Sequence, residues 1–285
     1  MIETATATLA YSPCPNDTYI FAALAHGLLE SEAPAVRVTL ADVESLNRAA
    51  ENGAYELTKI SYGAIPYVID RYRILRSGGA LGRGCGPLLV TRKGGPKTLH
   101  ALRGLRLAIP GDRTTAFLLL RLALDAAHAS EVTPVPMRFD RIVGAVARGD
   151  AEAGLIIHES RFTYHRSGLA AMLDLGDWWE QQTGLPIPLG AIVARRDIGI
   201  ERMRALAAAI VRSLAFAREH EDVVMPYVRE HALEMDEDVM RRHVALYVNE
   251  FTGDVGDSGI AAVRELFARA RAAGLVPAAA EPLFA

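Results

Sequence analysis

Four short stretches of this sequence concentrate hydroxyls, amides and carboxyls where a strand should give way to a helix. They are SPCPNDT (Ser12 to Thr18), TKISYG (Thr58 to Gly63), PGDRTTAF (Pro110 to Phe117) and IIHESRFTY (Ile156 to Tyr164). A helix start leaves backbone N–H groups without intrahelical partners and carries partial positive charge, so each junction can receive a carboxylate or a phosphate. Taken singly, a Ser, Thr, Asn or Asp at such a place is an ordinary cap. Two junctions from each of two facing lobes would instead make one anion-binding cleft.

His158 follows the apolar run AGLII, which should leave its imidazole at the carboxyl end of a buried strand. A histidine titrates near neutrality and serves as a general base there; a packing or capping ring is the competing reading. His100, His128, His220, His231 and His243 are expected on helices or polar turns, facing solvent. His26 falls on the first helix, and His165 lies seven residues past His158. There is no HExxH and no helical His pair, and two cysteines, Cys14 and Cys85, cannot build a Cys-based zinc site or a disulfide framework. No metal is therefore expected. Nucleophile-elbow, P-loop, kinase and EF-hand patterns are missing as well, and GDRTTA lacks the lysine of a P-loop. Lys59 is one of only three lysines. It reads either as a cleft cation or as a solvated strand-end residue.

The elements that must position these groups alternate. Strand patterns at 5–11, 36–40 and 55–60 interleave with helical faces at 16–29 and 43–50, the second capped by Asp42. A helix is expected to open at Ser61, with Pro66 near its first turn. The glycine-rich SGGALGRGCG (77–86) reads as a bend, PLLVTR (87–92) as a strand, and RKGGPKTLHAL as the crossover to a second series. That series has strands near 105–110 and 153–157, a strongly apolar helix at 114–128, and a returning strand at 188–196. Beyond about residue 199 only helical spacing remains. Alternation of this kind implies mainly parallel sheets covered by helices, with ligands at the carboxyl ends of strands. The expected division is a first lobe over 1–95, a second over 96–189, and a return with C-terminal helices over 190–285.

Composition agrees. The chain has 285 residues, 51% hydrophobic and 23% charged, with a formal charge of −3. That balance supports a packed core and gives no electrostatic footprint for nucleic acid. No apolar run approaches the ~18–20 residues that span a bilayer. The start, MIETATATLA, has neither the basic nor the apolar region of a secretory signal, so a cytoplasmic protein without nucleic-acid or membrane partners is expected.

Several motifs together resemble the 1,4-dihydroxy-6-naphthoate synthase family of the futalosine route to menaquinone. They are SPCPNDT, LTKISYGA (57–64), RSGGALGRG (76–84), GLIIHESRFTY (154–164), WWEQQTGLPIPLGAI (178–192) and YVNEF near 250. The resemblance spans nearly the whole chain, in order. It implies an α/β, two-lobe periplasmic-binding-protein-like (type II) fold with a central cleft and C-terminal helices. It further implies a carbon–carbon lyase that converts cyclic dehypoxanthinylfutalosine to 1,4-dihydroxy-6-naphthoate with release of dihydroxyacetone, using no cofactor. His158 matches the family's proton acceptor; Lys59, Ile60, Ser61, Thr115 and Ala116 match its substrate-contacting stretches. The implied ligand is a small aromatic carboxylate. The competing readings are a cytoplasmic carboxylate-binding protein of the same fold and the related chorismate dehydratase.

Overall fold

The computed structural model describes residues 6–29, 33–129, 131–233, 236–278 and 282–285. Its first segment alternates as the residue pattern dictates: β1 (Ala7–Tyr11), α1 (Pro15–Ala25), β2 (Val36–Leu40), α2 (Val43–Glu51) and β3 (Leu57–Ser61). Pro15 opens α1, where a missing N–H costs nothing. Asp42 caps α2 by accepting from the N–H groups of Glu44 and Ser45. The stretch at Tyr62–Tyr67, expected as an α-helix, is a 3₁₀ helix containing Pro66. Two short strands follow, β4 (Tyr72–Ile74) and β5 (Ala80–Gly82).

The second segment holds β6 (Leu88–Arg92), β7 (Arg106–Ile109), α3 (Thr115–Ala126), β8 (Thr133–Pro136) and α4 (Phe139–Arg148). It continues through β9 (Ala153–Ile156), the single turn α5 (Ser160–Thr163), β10 (Leu169–Asp174) and α6 (Leu175–Thr183). The chain then returns along β11 (Ile187–Arg195) and finishes in helices: α7 (Ile200–Glu219), α8 (Glu221–His231), α9 (Glu237–Tyr247), the single turn α10 (Glu250–Gly253) and α11 (Gly256–Ala272).

Two sheets result. The first runs β2-β1-β3-β11-β4, with β5 also on β11; the second runs β10-β6-β9-β7-β8. In each, the βαβ strands are parallel, β1 with β2 and β3, and β7 with β8 and β9. The strands that carry the chain between lobes run antiparallel to them, β6 against β9 and β11 against β3. The sheets are thus mixed rather than mainly parallel. α1 is buried nearly all round because α7, α8 and α9 close over it. Among the described residues no helix is long and apolar enough to cross a membrane.

The crossover lies earlier than the expected boundary at 95. β6 belongs to the second sheet, so the chain crosses at Arg83–Pro87, and RKGGPK contributes a turn inside the second lobe. Leu88, Leu89 and Val90 are buried there between β9 and β10. The return to the first sheet likewise begins at Ile187, slightly before 190. Gly86 and Gly176 mark the two crossing segments. A Cβ on Gly86 would collide with the backbone of Gly176, so the segments pack backbone against backbone. Arg161 ties the same region together, donating to the carbonyls of Gly86 and Gly84 and to Asp174.

Candidate active site between the lobes

The four polar junctions meet at one cleft between the sheets, with about 700 Å³ of space including its mouth. Ser12, Asn16 and Asp17 arrive from the first junction, and Lys59, Ile60 and Ser61 from the second. Thr114, Thr115 and Ala116 come from the third, and His158 from the fourth. Val43, Leu46 and Leu189 supply apolar wall, so the cleft combines flat hydrophobic surface with a few polar groups, as ligand sites do. All six residues singled out for binding or catalysis therefore line one space.

His158 stands two residues beyond β9 with φ at +57°, the left-handed region that residues other than glycine seldom adopt. The turn points its ring back into the cleft. Nδ1 lies 3.3 Å from the Cys14 sulfur, and the ring tilts against Phe139 at 4.7 Å. Nε2 is buried without a hydrogen-bond partner. Burial pushes the imidazole down to about 4; the Asp17 carboxylate opposes that shift and the Lys59 ammonium adds to it. The ring is neutral at pH 7 and keeps a lone pair. Burial pushes the Cys14 thiol up, so it stays protonated. A thiol both donates and accepts, so this contact admits either tautomer; the one with Nδ1–H on the sulfur leaves Nε2 as the basic nitrogen. Nothing in the sequence pattern pointed to the Cys14 contact, which joins residues far apart in the chain.

Beneath His158 lies a buried polar chain. Lys59 Nζ pairs with Asp17 Oδ1, and the two residues are only 7% and 3% exposed. Lys59 is therefore no solvated strand-end lysine. Ser12 Oγ donates to Asp17 Oδ2 at 2.7 Å, and Asn16 Nδ2 donates to Asp17 Oδ1 at 2.7 Å. Asn16 Oδ1 in turn receives His243 Nε2 at 2.9 Å.

His243 corrects an expectation. Its place on a helix or polar turn predicts a solvated ring, yet it is fully buried and lines the cleft. The signal was present: Val239, Met240, His243 and Tyr247 recur on one face of α9, and all four are buried. A histidine at a core position of an amphipathic helix needs a polar partner, and Asn16 provides it. His100, His128 and His220 are exposed as expected, whereas His231 is half-buried.

Ser61 exchanges two hydrogen bonds with Asn47: its N–H donates to Oδ1 at 2.8 Å, and its hydroxyl accepts from Nδ2 at 3.2 Å. Thr115 is similarly engaged. Its hydroxyl accepts from the Gly63 N–H at 3.0 Å and donates to the Leu189 carbonyl at 2.6 Å, linking α3 of the second lobe to the first. Thr114 caps α3 by accepting from the Phe117 N–H. What Thr115 and Ala116 offer the cleft is thus their backbone N–H groups at the start of a helix of 12 residues. A polar rim crosses nearby: Arg113 donates its N–H to Glu44 and its Nε to Glu51, and Arg48 reaches Asp112.

Cys14, His158 and Glu159 bring a sulfur, a ring nitrogen and a carboxylate oxygen within 4.8 Å of one another, a donor set able to ligate a soft divalent cation. Without a cation, burial holds the Cys14 thiol protonated.

This architecture is shared with solute-binding proteins. An alkanesulfonate-binding protein of Xanthomonas axonopodis matches with a TM-score of 0.73 at 16% identity, over 98% of this chain and 96% of that one. The protein therefore has the two-lobe periplasmic-binding-protein-like fold. A crystal structure of an Archaeoglobus fulgidus protein matches more tightly, with a TM-score of 0.88 and 38% identity over 96% of this chain and all of that one. Sequence narrows the class. A family described as menaquinone biosynthesis matches residues 7–272. Two relatives named 1,4-dihydroxy-6-naphthoate synthase share 55% identity (Thermus thermophilus; 97% of this chain, 98% of the relative) and 50% (Streptomyces coelicolor; 96% and 95%). The chain belongs to this menaquinone-biosynthesis family.

Proposed function

We propose that the protein is a 1,4-dihydroxy-6-naphthoate synthase, a carbon–carbon lyase that acts on cyclic dehypoxanthinylfutalosine in the cytoplasm and releases dihydroxyacetone. One observation supports this most: a neutral imidazole with an unpartnered Nε2 faces a cleft that also presents helix N–H groups. On this reading the carboxylate docks at the N–H groups of Thr115 and Ala116, where the helix start favours an anion. Ser61 and Ile60 bound the aromatic body. Lys59, neutralised by Asp17, holds the first lobe's part of the wall in place rather than meeting the carboxylate.

His158 Nε2 then takes a proton from a carbon or hydroxyl of the carbocycle. The carbon–carbon bond to the sugar-derived fragment breaks, and the ring becomes aromatic, which supplies driving force. Closure of the lobes excludes water and brings the base to the ring. The test is direct: incubate the purified chain with cyclic dehypoxanthinylfutalosine and follow naphthoate absorbance. Product formation is the expected result. Tight binding without turnover would favour a carboxylate-binding protein instead.

The pH profile separates this base from an ordinary histidine. Because His158 is held down to about 4 from 6.5, its lone pair persists well into acid. kcat/KM is expected to stay level from neutrality to near pH 5 and to fall only as the imidazole gains its proton. Stability moves in the same direction. The unfolded chain binds this proton more readily than the folded one, so His158 withdraws stability as pH drops from 6.5 towards 4. A kcat/KM limb centred near 6.5 would contradict the assignment.

A further inference from the structure

A second imidazole faces the same cleft without a task in the scheme above. His243 comes from α9, against the first lobe, and His158 from the second. Their rings stand 6.2 Å apart and nearly parallel, at 18°. The hydrogen bonds behind His243 allow one tautomer only. The NH₂ of Asn16 is committed to the Asp17 carboxylate, so its Oδ1 is what faces His243, and Nε2 must carry the hydrogen. Nδ1 is left as a bare acceptor, buried and without a partner. Such an orphan costs folding free energy and persists where a ligand supplies the missing donor.

We infer that His243 is a second catalytic residue, whose Nδ1 accepts a hydrogen bond from a hydroxyl of the reacting ring, and that Asn16 is the positioning residue that fixes its tautomer. The inference rests on the naphthoate reading of the cleft. The Asp17–Lys59 pair cancels in charge behind Asn16, and burial drives the His243 pKa well down, so the ring stays neutral and able to accept. Tyr247 packs on it at 4.6 Å and Phe162 lies at 6.4 Å, which fixes its plane. The cleft then has two unlike ends. Backbone N–H groups of α3 meet the carboxylate, and two imidazole nitrogens meet the hydroxylated ring.

Two probes test this, 1,4-dihydroxy-6-naphthoate and 2-naphthoate, which share the ring and the carboxylate but differ in the hydroxyls. The native protein should bind the dihydroxy compound more tightly. In His243→Phe that preference should shrink by roughly 5- to 100-fold, the value of a buried hydrogen bond, while 2-naphthoate affinity holds. An undiminished preference would overturn the inference. Failure of the native protein to bind either probe would bring down the naphthoate reading itself. A measurement that needs no substitution is ¹⁵N NMR of the histidines. The unprotonated Nδ1 of His243 should shift with the dihydroxy compound and not with 2-naphthoate; no shift with either overturns the role. Asn16→Leu should mix the two tautomers in the same spectrum and weaken the preference. An unchanged tautomer there would remove Asn16 from the scheme.

Discussion

Replacing His158 by asparagine is expected to lower turnover by about 10²- to 10⁴-fold while the protein remains folded. Asparagine is the informative choice because it tolerates the left-handed backbone that position 158 requires, whereas a β-branched residue would add strain. The amide cannot take a proton near neutrality, so only the base is removed. The thermal transition should move little, since the histidine already leaves Nε2 unsatisfied and contributes few polar contacts to lose. Near-native kcat in a folded His158→Asn protein would exclude this residue as the proton acceptor. Steady-state turnover with a melting curve on the same sample decides the matter.

The largest stability effect is expected at Asp17. Asp17→Ala leaves the Lys59 ammonium buried and unpaired, which costs about 3–5 kcal/mol. It also removes the acceptor of Ser12 and frees the Asn16 amide to turn. Lys59→Met alone should destabilise for the mirror reason, leaving a buried carboxylate with only neutral donors. The double substitution should recover part of either loss, because it avoids the desolvation of both charges while Ser12 and Asn16 still lose their acceptor. Urea denaturation of the two single variants and the double variant gives the coupling energy as a double-mutant cycle. Additive losses would mean that the pair contributes nothing specific to folding.

Much of this site could be read from residue type and spacing because its pieces sit at strand ends, where local pattern is informative. Hydroxyl and amide residues following an apolar run marked all four junctions, and the topology of two βαβ lobes brings such junctions together. What escaped were long-range choices. The LAAMLD run of β10 lacks alternation, being an edge strand with irregular burial, so its pairing with β6 could not be anticipated. RKGGPK has the composition of a linker, while the shorter bend before Leu88 does the crossing. His243 reads as a surface histidine unless the periodicity of its helix is followed, and the Cys14 contact escapes because its partner lies in the other lobe. Thr115 enters through the family resemblance, and the structure spends its hydroxyl on Gly63 and Leu189.

The place of β11 in the first sheet has a consequence for how the chain is made. β11 is an interior strand, bonded to β3 on one side and to β4 and β5 on the other, yet it is synthesised after the whole second lobe. Until it arrives, β2-β1-β3 ends on a bare edge at β3, a strand buried at every residue in the finished protein. Such an edge is a template for pairing with other chains. Closing it requires a contact between distant parts of the sequence, the kind that forms slowly. The second lobe therefore acts as a timer on the first: whatever delays its folding prolongs the exposure of β3, and damage there surfaces as aggregation through a lobe it does not touch.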